Sequence, residues 1–376
     1  KYERIRETMG NVRFHFFMMI GLLGSVLGLV QWYVYRKGFT MLHSWWTAVF
    51  CLLLPVIFLL PHCVTGLPLG LTRFLATLGG FWLGFFYYSV LLLVLYLVLF
   101  LGFSVLGQQA AWNVFAPRLV RAALAVLVVL LAWGGWNARH PVYREVTVTT
   151  EKALPRDIKI AFVTDMHLGT VLGDSYCAGL VQRLNALQPD LVIFGGDQVD
   201  ESLQLVRDEG SYKHLAELRA PLGVYVVLGN HDYLGGTWRE EMELFSGQGL
   251  HYLVDETVAL PDNLELTGLP DYSMGGRQTA LQPGQAERFR ILVDHQPRRM
   301  RQAAAAGYDL YLAGHTHAGQ LYPNRLVTQK LYELDYGTKI FDRMLAVTSD
   351  GYGFWGVPVR TGPAPEIVVL TLQHKH

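Results

Sequence analysis

Ile158-Lys159-Ile160-Ala161-Phe162-Val163-Thr164-Asp165-Met166-His167 is a short apolar run that ends on a polar cluster. The same construction recurs downstream. Leu191–Phe194 leads to Gly195-Gly196-Asp197, Val224–Leu228 to Gly229-Asn230-His231-Asp232, Ile291-Leu292-Val293-Asp294 to His295, and Leu310–Ala313 to Gly314-His315-Thr316-His317. Short apolar runs bounded by turn residues read as buried strands. Helical patterns lie between the first three, around Tyr176–Leu187 and Tyr212–Leu218. In the first, Leu180, Val181, Leu184 and Leu187 recur at helical spacing, and Pro189-Asp190 ends it. Leu250–Val254, Thr257–Leu260 and Leu264–Leu269 read as short antiparallel pieces, and Leu345–Thr348 and Ile367–Leu372 complete the strands. Alternating strands and helices with strand-rich additions imply a mixed α/β sandwich with helices outside, over residues 157–376.

In such sheets the functional groups collect beyond the carboxyl ends of strands, and all five clusters lie there. One such cluster is an ordinary turn or helix cap. Five built from Asp, Asn and His imply a shared site. Imidazole and carboxylate suit Mn, Fe and Zn, and the lack of thiolates there argues against a structural zinc. Two cations a few ångströms apart need a carboxylate between them, and a water so placed loses a proton and becomes a nucleophile. An amide oxygen such as that of Asn230 adds a ligand without adding negative charge.

The order Asp-x-His, Gly-Asp, Gly-Asn-His-Asp, a separate His and Gly-His-x-His resembles the signature of calcineurin-like metallophosphoesterases over residues 158 to about 372. Asp294-His295-Gln296-Pro297, Gly314–Gln320 and Gly353–Arg360 resemble the transmembrane branch related to the YkuE and YaeI phosphodiesterases, although Ala318 stands where that branch often has glycine. The resemblance implies one metal bound by Asp165, His167, Asp197 and His317, and a second bound by Asp197, Asn230, His295 and His315, with Asp197 bridging. It implies two divalent ions, manganese first, with iron or zinc as alternatives. His231 would touch the substrate phosphate and protonate the leaving oxygen, and Asp232 would orient His231. Asp200 reads as a turn cap or an indirect contributor, and His214, His251, His374 and His376 as packing or surface residues.

The front of the chain is of another kind. Phe14–Tyr35, Trp45–Val64, Phe74–Phe103 and Leu119–Trp136 are apolar runs whose one Lys, Arg, Asp or Glu is Arg121, near the start of the fourth, and a membrane-crossing helix needs roughly 20 such residues. Residues 1–140 therefore read as a four-helix transmembrane bundle and 141–156 as a linker. Trp32, Tyr33, Tyr35, Trp45, Trp46, Trp133 and Trp136 fall at the ends of runs, where aromatic rings anchor at interfaces. Gly21, Gly24 and Gly28, and Gly79, Gly80 and Gly84, suit close helix packing. The bundle lacks ionisable groups of the kind a transport path requires.

Net charge is zero, but ten Lys or Arg face two acids through His140, and 21 face 29 beyond it. The back half has no basic run, which argues against nucleic acid as a partner. Cys51, Cys63 and Cys177 form neither a disulfide framework nor a zinc pattern. Lys1, Arg4, Arg6, Arg13, Arg73, Arg139 and Arg144 on one side outnumber Arg36, Lys37, Arg118 and Arg121 on the other. That favours a bacterial inner membrane protein with its catalytic half in the cytoplasm. Arg139, Arg144, Lys152 and Arg156 would lie near head groups. The expected substrate is a lipid phosphodiester or lipid-linked pyrophosphate, as in the lipid-A-precursor hydrolases that share these motifs. Trp238, Met242, Phe245, Leu269, Tyr272 and Met274 are candidates for an apolar rim. The alternatives are a phosphatase for soluble phosphomonoesters and a receptor or scaffold without catalysis.

Overall fold

The computed structural model describes residues 2–375 apart from 40–42, 65, 201, 235, 275–280 and 282–283. It divides into two units, residues 1–136 with 356–359, and residues 137–355 with 360–376.

The first unit is helical: α1 (Tyr2–Tyr35), α2 (Trp45–Cys63), α3 (Leu69–Val105) and α4 (Gln109–Asn137). Among the described residues, α3 and α4 are long and apolar enough to cross a membrane; the apolar stretches Gly21–Tyr35 and Trp45–Pro61 of α1 and α2 are shorter. The structure therefore supports two spans where the sequence suggests four. The run expected at 74–103 is the middle of one longer helix and that at 119–136 the C-terminal part of another, because Arg73 and Arg118 continue the helix without breaking it. The 37 residues of α3 extend roughly 55 Å at 1.5 Å per residue, beyond a hydrocarbon core of about 30 Å. Gly24 packs beneath Trp82, and a Cβ at Gly79 would strike the Phe58 backbone, so small residues set the approach of α1, α2 and α3. Trp112, fully buried, gathers Tyr96, Phe100, Phe103 and Phe115 between α3 and α4.

The second unit contains twelve strands: β1 (Val142–Thr150), β2 (Ile158–Val163), β3 (Leu191–Phe194), β4 (Val224–Val226), β5 (Leu250–Tyr252), β6 (Glu256–Leu260), β7 (Leu264–Gly268), β8 (Phe289–Val293), β9 (Leu310–Ala313), β10 (Gly337–Phe341), β11 (Met344–Thr348) and β12 (Glu366–His374). Its helices are α5 (Asp174–Leu187), α6 (Leu203–Glu209), α7 (Asn230–Leu234), α8 (Trp238–Ser246), α9 (Met300–Ala305) and α10 (Arg325–Leu331). One sheet runs β1-β12-β2-β3-β4-β5 and the other β10-β11-β9-β8-β7-β6.

Alternation along the strands makes the layers. Ile158, Ile160 and Phe162 of β2 point to a core shared with Leu266, Ile291, Val293 and Leu312 of the other sheet. Ala161 and Val163 face the opposite way, toward Leu180, Val181 and Leu184 of α5. On the far side, Leu292 and Tyr311 meet Met300 and Ala303 of α9. The result is the expected α/β sandwich of two central sheets with helices outside. β2, β3 and β4 run parallel in one sheet and β8 and β9 in the other, so all five polar clusters emerge at carboxyl ends.

Several expectations need correction. Much of the stretch read as a linker, 141–156, is β1, which pairs in parallel with β12 from Val142 to Thr150. Arg144, Lys152 and Arg156 are not left for head groups: they bind Glu366, the Asp309 carboxylate, and both Asp190 and Asp262. β5 is parallel to β4 rather than part of an antiparallel group, because α8 gives the chain the length to cross back. Of the three pieces expected there, β6 and β7 pair antiparallel, as do β10 with β11 and β12 with β2 elsewhere. The helix expected over Tyr212–Leu218 is a 3-10 turn, Ser211–Glu217, preceded by α6.

Glu366 is nearly inaccessible and accepts two hydrogen bonds from the Arg144 guanidinium, at 2.9 and 2.8 Å. Removing one partner of a buried pair typically costs about 3–5 kcal/mol, whereas replacing both is far milder. Arg144→Leu should therefore lower the thermal unfolding midpoint of the full chain sharply, and Arg144→Leu with Glu366→Leu should recover most of the loss.

Candidate metal centre

The site is assembled from turns held in unusual backbone conformations. Asp165, His167, Asp197, His315 and His317 all have positive φ, between 47° and 71°. The left-handed region is uncommon for such residues, and Asp and His tolerate it better than branched side chains. It folds each turn back so that a side chain points over the strand ends. Space for this comes from glycine. A Cβ on Gly229 would collide with Asp197 Oδ1, and one on Gly314 with Thr164 and Asp165.

Three groups of donor atoms form among the described residues: Asp165, His167 and His317; Asp197, His295 and His315; and His167, Asp200 and His231. In the first, His167 Nε2 and His317 Nε2 are 3.1 Å apart, His317 Nε2 lies 3.3 Å from Asp165 Oδ1, and His167 Nε2 lies 3.9 Å from both Asp165 Oδ1 and Asp197 Oδ2. In the second, His295 Nε2 lies 3.1 Å from Asp197 Oδ2 and 3.2 Å from Asn230 Oδ1, with the His315 ring 5.2 Å away. Bonds of about 2.1 Å to a common ion place neighbouring ligands roughly 3 Å apart, so these spacings fit a cation in each of the first two groups. Asp197 Oδ2 faces both groups, while its Oδ1 accepts the His231 backbone N–H at 2.8 Å. Every residue expected as a ligand from the sequence thus converges, and Asp197 occupies the shared position.

The surrounding contacts suit such a centre. His295 Nδ1 donates to the Gly195 carbonyl at 2.8 Å, which turns Nε2 toward the Asp197 and Asn230 oxygens, where a metal would replace its proton. Asp165 accepts from the Thr164 hydroxyl at 2.7 Å and from the His315 backbone. Burial works against charge on Asp197, yet His295, His231 and His167 together hold its carboxyl well below the usual range. His317 and His295 likewise outweigh burial at Asp165. Burial, reinforced by His295, lowers His315 to about 4, so its ring is neutral at ordinary pH.

His231 stands beside this group, half-buried, with its ring 4.8 Å from that of His167. Its Nδ1 faces Asp200 Oδ1 at 3.0 Å, and the same oxygen lies 3.3 Å from His167 Nδ1. The expected partner, Asp232, is engaged elsewhere. Its carboxylate accepts the backbone N–H groups of Asp197, Val199 and Gly229 at 2.9, 3.0 and 2.7 Å, tying the Asp197 and Asn230 turns together. The carboxylate beside His231 Nδ1 is therefore that of Asp200 rather than Asp232, and its only sequence sign was its position three residues after Asp197 in one loop. Burial would lower the His231 pKa, but Asp197 and Asp200 outweigh it and raise it to about 9.

Arg360 carried no assigned role and is fully buried here. It donates to Asp350 Oδ2 at 3.0 Å, to the Asp350 carbonyl at 2.6 Å and to His317 Nδ1 at 3.1 Å. This contact leaves His317 Nε2 facing His167 and Asp165. The remaining histidines stand apart: His214 pairs with Asp174, His251 packs on Tyr225, His374 meets the Lys152 carbonyl, and His376 lies outside the described residues. Of the expected apolar rim, Phe245 and Leu269 are core residues, whereas Tyr272 and Met274 are exposed.

Residues 158–319 match the family of calcineurin-like phosphoesterases. A metallophosphoesterase of Helicobacter pylori is 31% identical over 261 residues, 65% of this chain and 68% of its own length. The chain belongs to the calcineurin-like phosphoesterases. An Aquifex aeolicus metallophosphoesterase is also 31% identical, over 66% of this chain and 98% of its own length. A Bos taurus relative named as a transmembrane protein with a metallophosphoesterase domain is 31% identical over 68% of this chain and 63% of its own length. α3 and α4 are long and apolar enough to cross a membrane, as the name of this relative says of that protein, and the Asp and His groups fit a divalent metal site.

Burial would lower the His295 pKa, but Asp197 outweighs it and holds the ring protonated well above the ordinary imidazole range, so ligation requires it to give up that proton. Calorimetry of Mn²⁺ binding in buffers of different ionisation enthalpy should show proton release, with apparent affinity rising as pH climbs above the ordinary imidazole range. Gly229→Ala should abolish binding at the Asp197 site, read as metal per chain after dialysis. Asp200→Asn should keep its metal and lower kcat at least tenfold, whereas Asp232→Asn should lose metal and thermal stability together.

Proposed function

We propose that this phosphoesterase is a dinuclear enzyme of a bacterial inner membrane, hydrolysing a lipid phosphodiester or a lipid-linked pyrophosphate. What carries the reading is the convergence of Asp165, His167, His317, Asn230, His295 and His315 around Asp197, in a chain that also bears α3 and α4. All four helices α1–α4 would cross as a bundle, and the excess of basic residues on the N-terminal side favours a cytoplasmic catalytic unit.

Asp165, His167, His317 and Asp197 would hold one ion, and Asp197, Asn230, His295 and His315 the other; manganese suits this imidazole and carboxylate set. Two such ions would neutralise the phosphoryl oxygens and make the attacking water more acidic. The chain supplies the remaining parts. A water oxygen forms the new P–O bond as the bond to the leaving oxygen breaks, and the water proton passes to solvent. His231, kept protonated by Asp197 and Asp200, gives its proton to the leaving oxygen, and Asp200 holds its Nδ1 side. Proton donation of this kind contributes typically 10²–10⁴-fold.

The test uses the full chain in detergent with Mn²⁺. It should cleave bis(p-nitrophenyl) phosphate and at least one phospholipid or lipid-linked pyrophosphate, and a chelator should stop both reactions. His231→Ala should lower kcat by about 10²–10⁴-fold with metal content unchanged. Cleavage of soluble esters with every lipid left intact would sink the lipid assignment. Full activity after Asp197→Asn would sink the dinuclear one.

A further inference from the structure

Three residues beyond His295, Arg298 is an exposed cation fixed in place beside the metal centre. Its guanidinium lies against Tyr332 at 4.8 Å and Tyr272 at 5.2 Å from the ring centres. It donates to the Tyr332 hydroxyl at 3.2 Å and to Gln296 Oε1 at 3.0 Å. Gln296 is itself anchored, its amide donating to both carboxylate oxygens of buried Asp271 at 3.1 Å. The Tyr332 ring in turn meets His315 edge-on at 5.9 Å. One aromatic ring therefore separates Arg298 from a candidate metal ligand.

Arg298 differs from its neighbours in charge balance. Arg290 pairs with Glu265, Arg299 with Asp294 and Arg301 with Glu333. Among the described residues Arg298 has no ion pair; its partners are two neutral rings and a neutral amide. A structural arginine this close to other acids would be expected to take one. The cation is instead held rigid by stacking and by the Gln296 bridge, with its charge uncompensated and open to solvent. Guanidinium geometry matches phosphate oxygens in a bidentate fashion, and a preorganised side chain loses less freedom on binding.

We propose that Arg298 binds a second phosphoryl group of the substrate, adjacent to the one held at the metal centre. This rests on the proposed function and narrows it: of the two substrate classes named there, the pyrophosphate-linked one is favoured over a diester with uncharged flanks. Tyr272 and Tyr332 act as positioning residues that hold the guanidinium in place.

The experiment is calorimetry on the Mn²⁺-loaded full chain in detergent, with methylenediphosphonate and methylphosphonate as probes. A charged hydrogen bond is worth about 1.5–3 kcal/mol, a factor of roughly 10–100 in affinity. Arg298→Gln should weaken methylenediphosphonate binding by about that factor and change methylphosphonate binding less than about twofold. An unchanged ratio of the two affinities, whether both weaken or neither does, overturns the proposal. If Arg298→Gln does not fold, Arg298→Lys takes its place, with a smaller fall in the ratio expected and an unchanged ratio again fatal. These are equilibrium measurements. Selective binding without turnover would sink the proposed hydrolysis and leave the role of Arg298 standing, while turnover with an unchanged ratio would do the reverse.

Discussion

Everything in the catalytic unit is arranged around the two oxygens of Asp197. One accepts the His231 backbone N–H, and the other faces His295 and His167 from opposite groups of donors. A carboxylate so buried is costly to charge unless cations or donors surround it. Its position therefore has to be enforced. Asp232 fixes the Asp197 backbone, Gly229 leaves room for its side chain, and the parallel strands β3 and β4 set the distance between the two turns.

That enforcement has an energetic cost. Five candidate ligands occupy the left-handed region, each on the order of 1–3 kcal/mol above a relaxed turn, and several imidazoles and acids are buried side by side. The two-sheet core offsets this: Ile158, Ile160, Phe162, Ile291 and Leu312 are all completely buried between the sheets. Rigid strands and strained turns have separate tasks here. The strands supply stability, and the turns spend part of it on directing side chains that would not otherwise converge.

Much of this was legible from residue pattern, for reasons that can be named. β2, β3, β8 and β9 are short apolar runs buried on both faces, so they stand out without a partner being known. The ligands were readable because each follows such a run directly. The linker reading of 141–156 failed because β1 alternates on a half-exposed surface, with a burial pattern that weakens its apolar signal, and because its partner β12 lies more than 200 residues away. Asp232 seemed the natural neighbour of His231, but successive residues on α7 point apart, and the carboxylate in reach comes from another loop. The burial of Arg360 had no periodic sign, since its partners Asp350, Gly351 and Gly353 lie in the irregular loop just before it and His317 comes from another strand end.

The pairing of β1 with β12 has a consequence for biosynthesis. β12 lies between β1 and β2, so the sheet has a vacant place in its middle until residues 366–374 have left the ribosome. α3 and α4 emerge long before that and can be handed to the insertion machinery while the downstream unit is still incomplete. A vacant place in a sheet presents unpaired backbone along β1 and β2, the kind of edge that other chains can add to. Nascent chains that stall shortly before residue 366 would then be membrane-tethered and aggregation-prone, and quality control would meet them at the bilayer rather than in bulk solution.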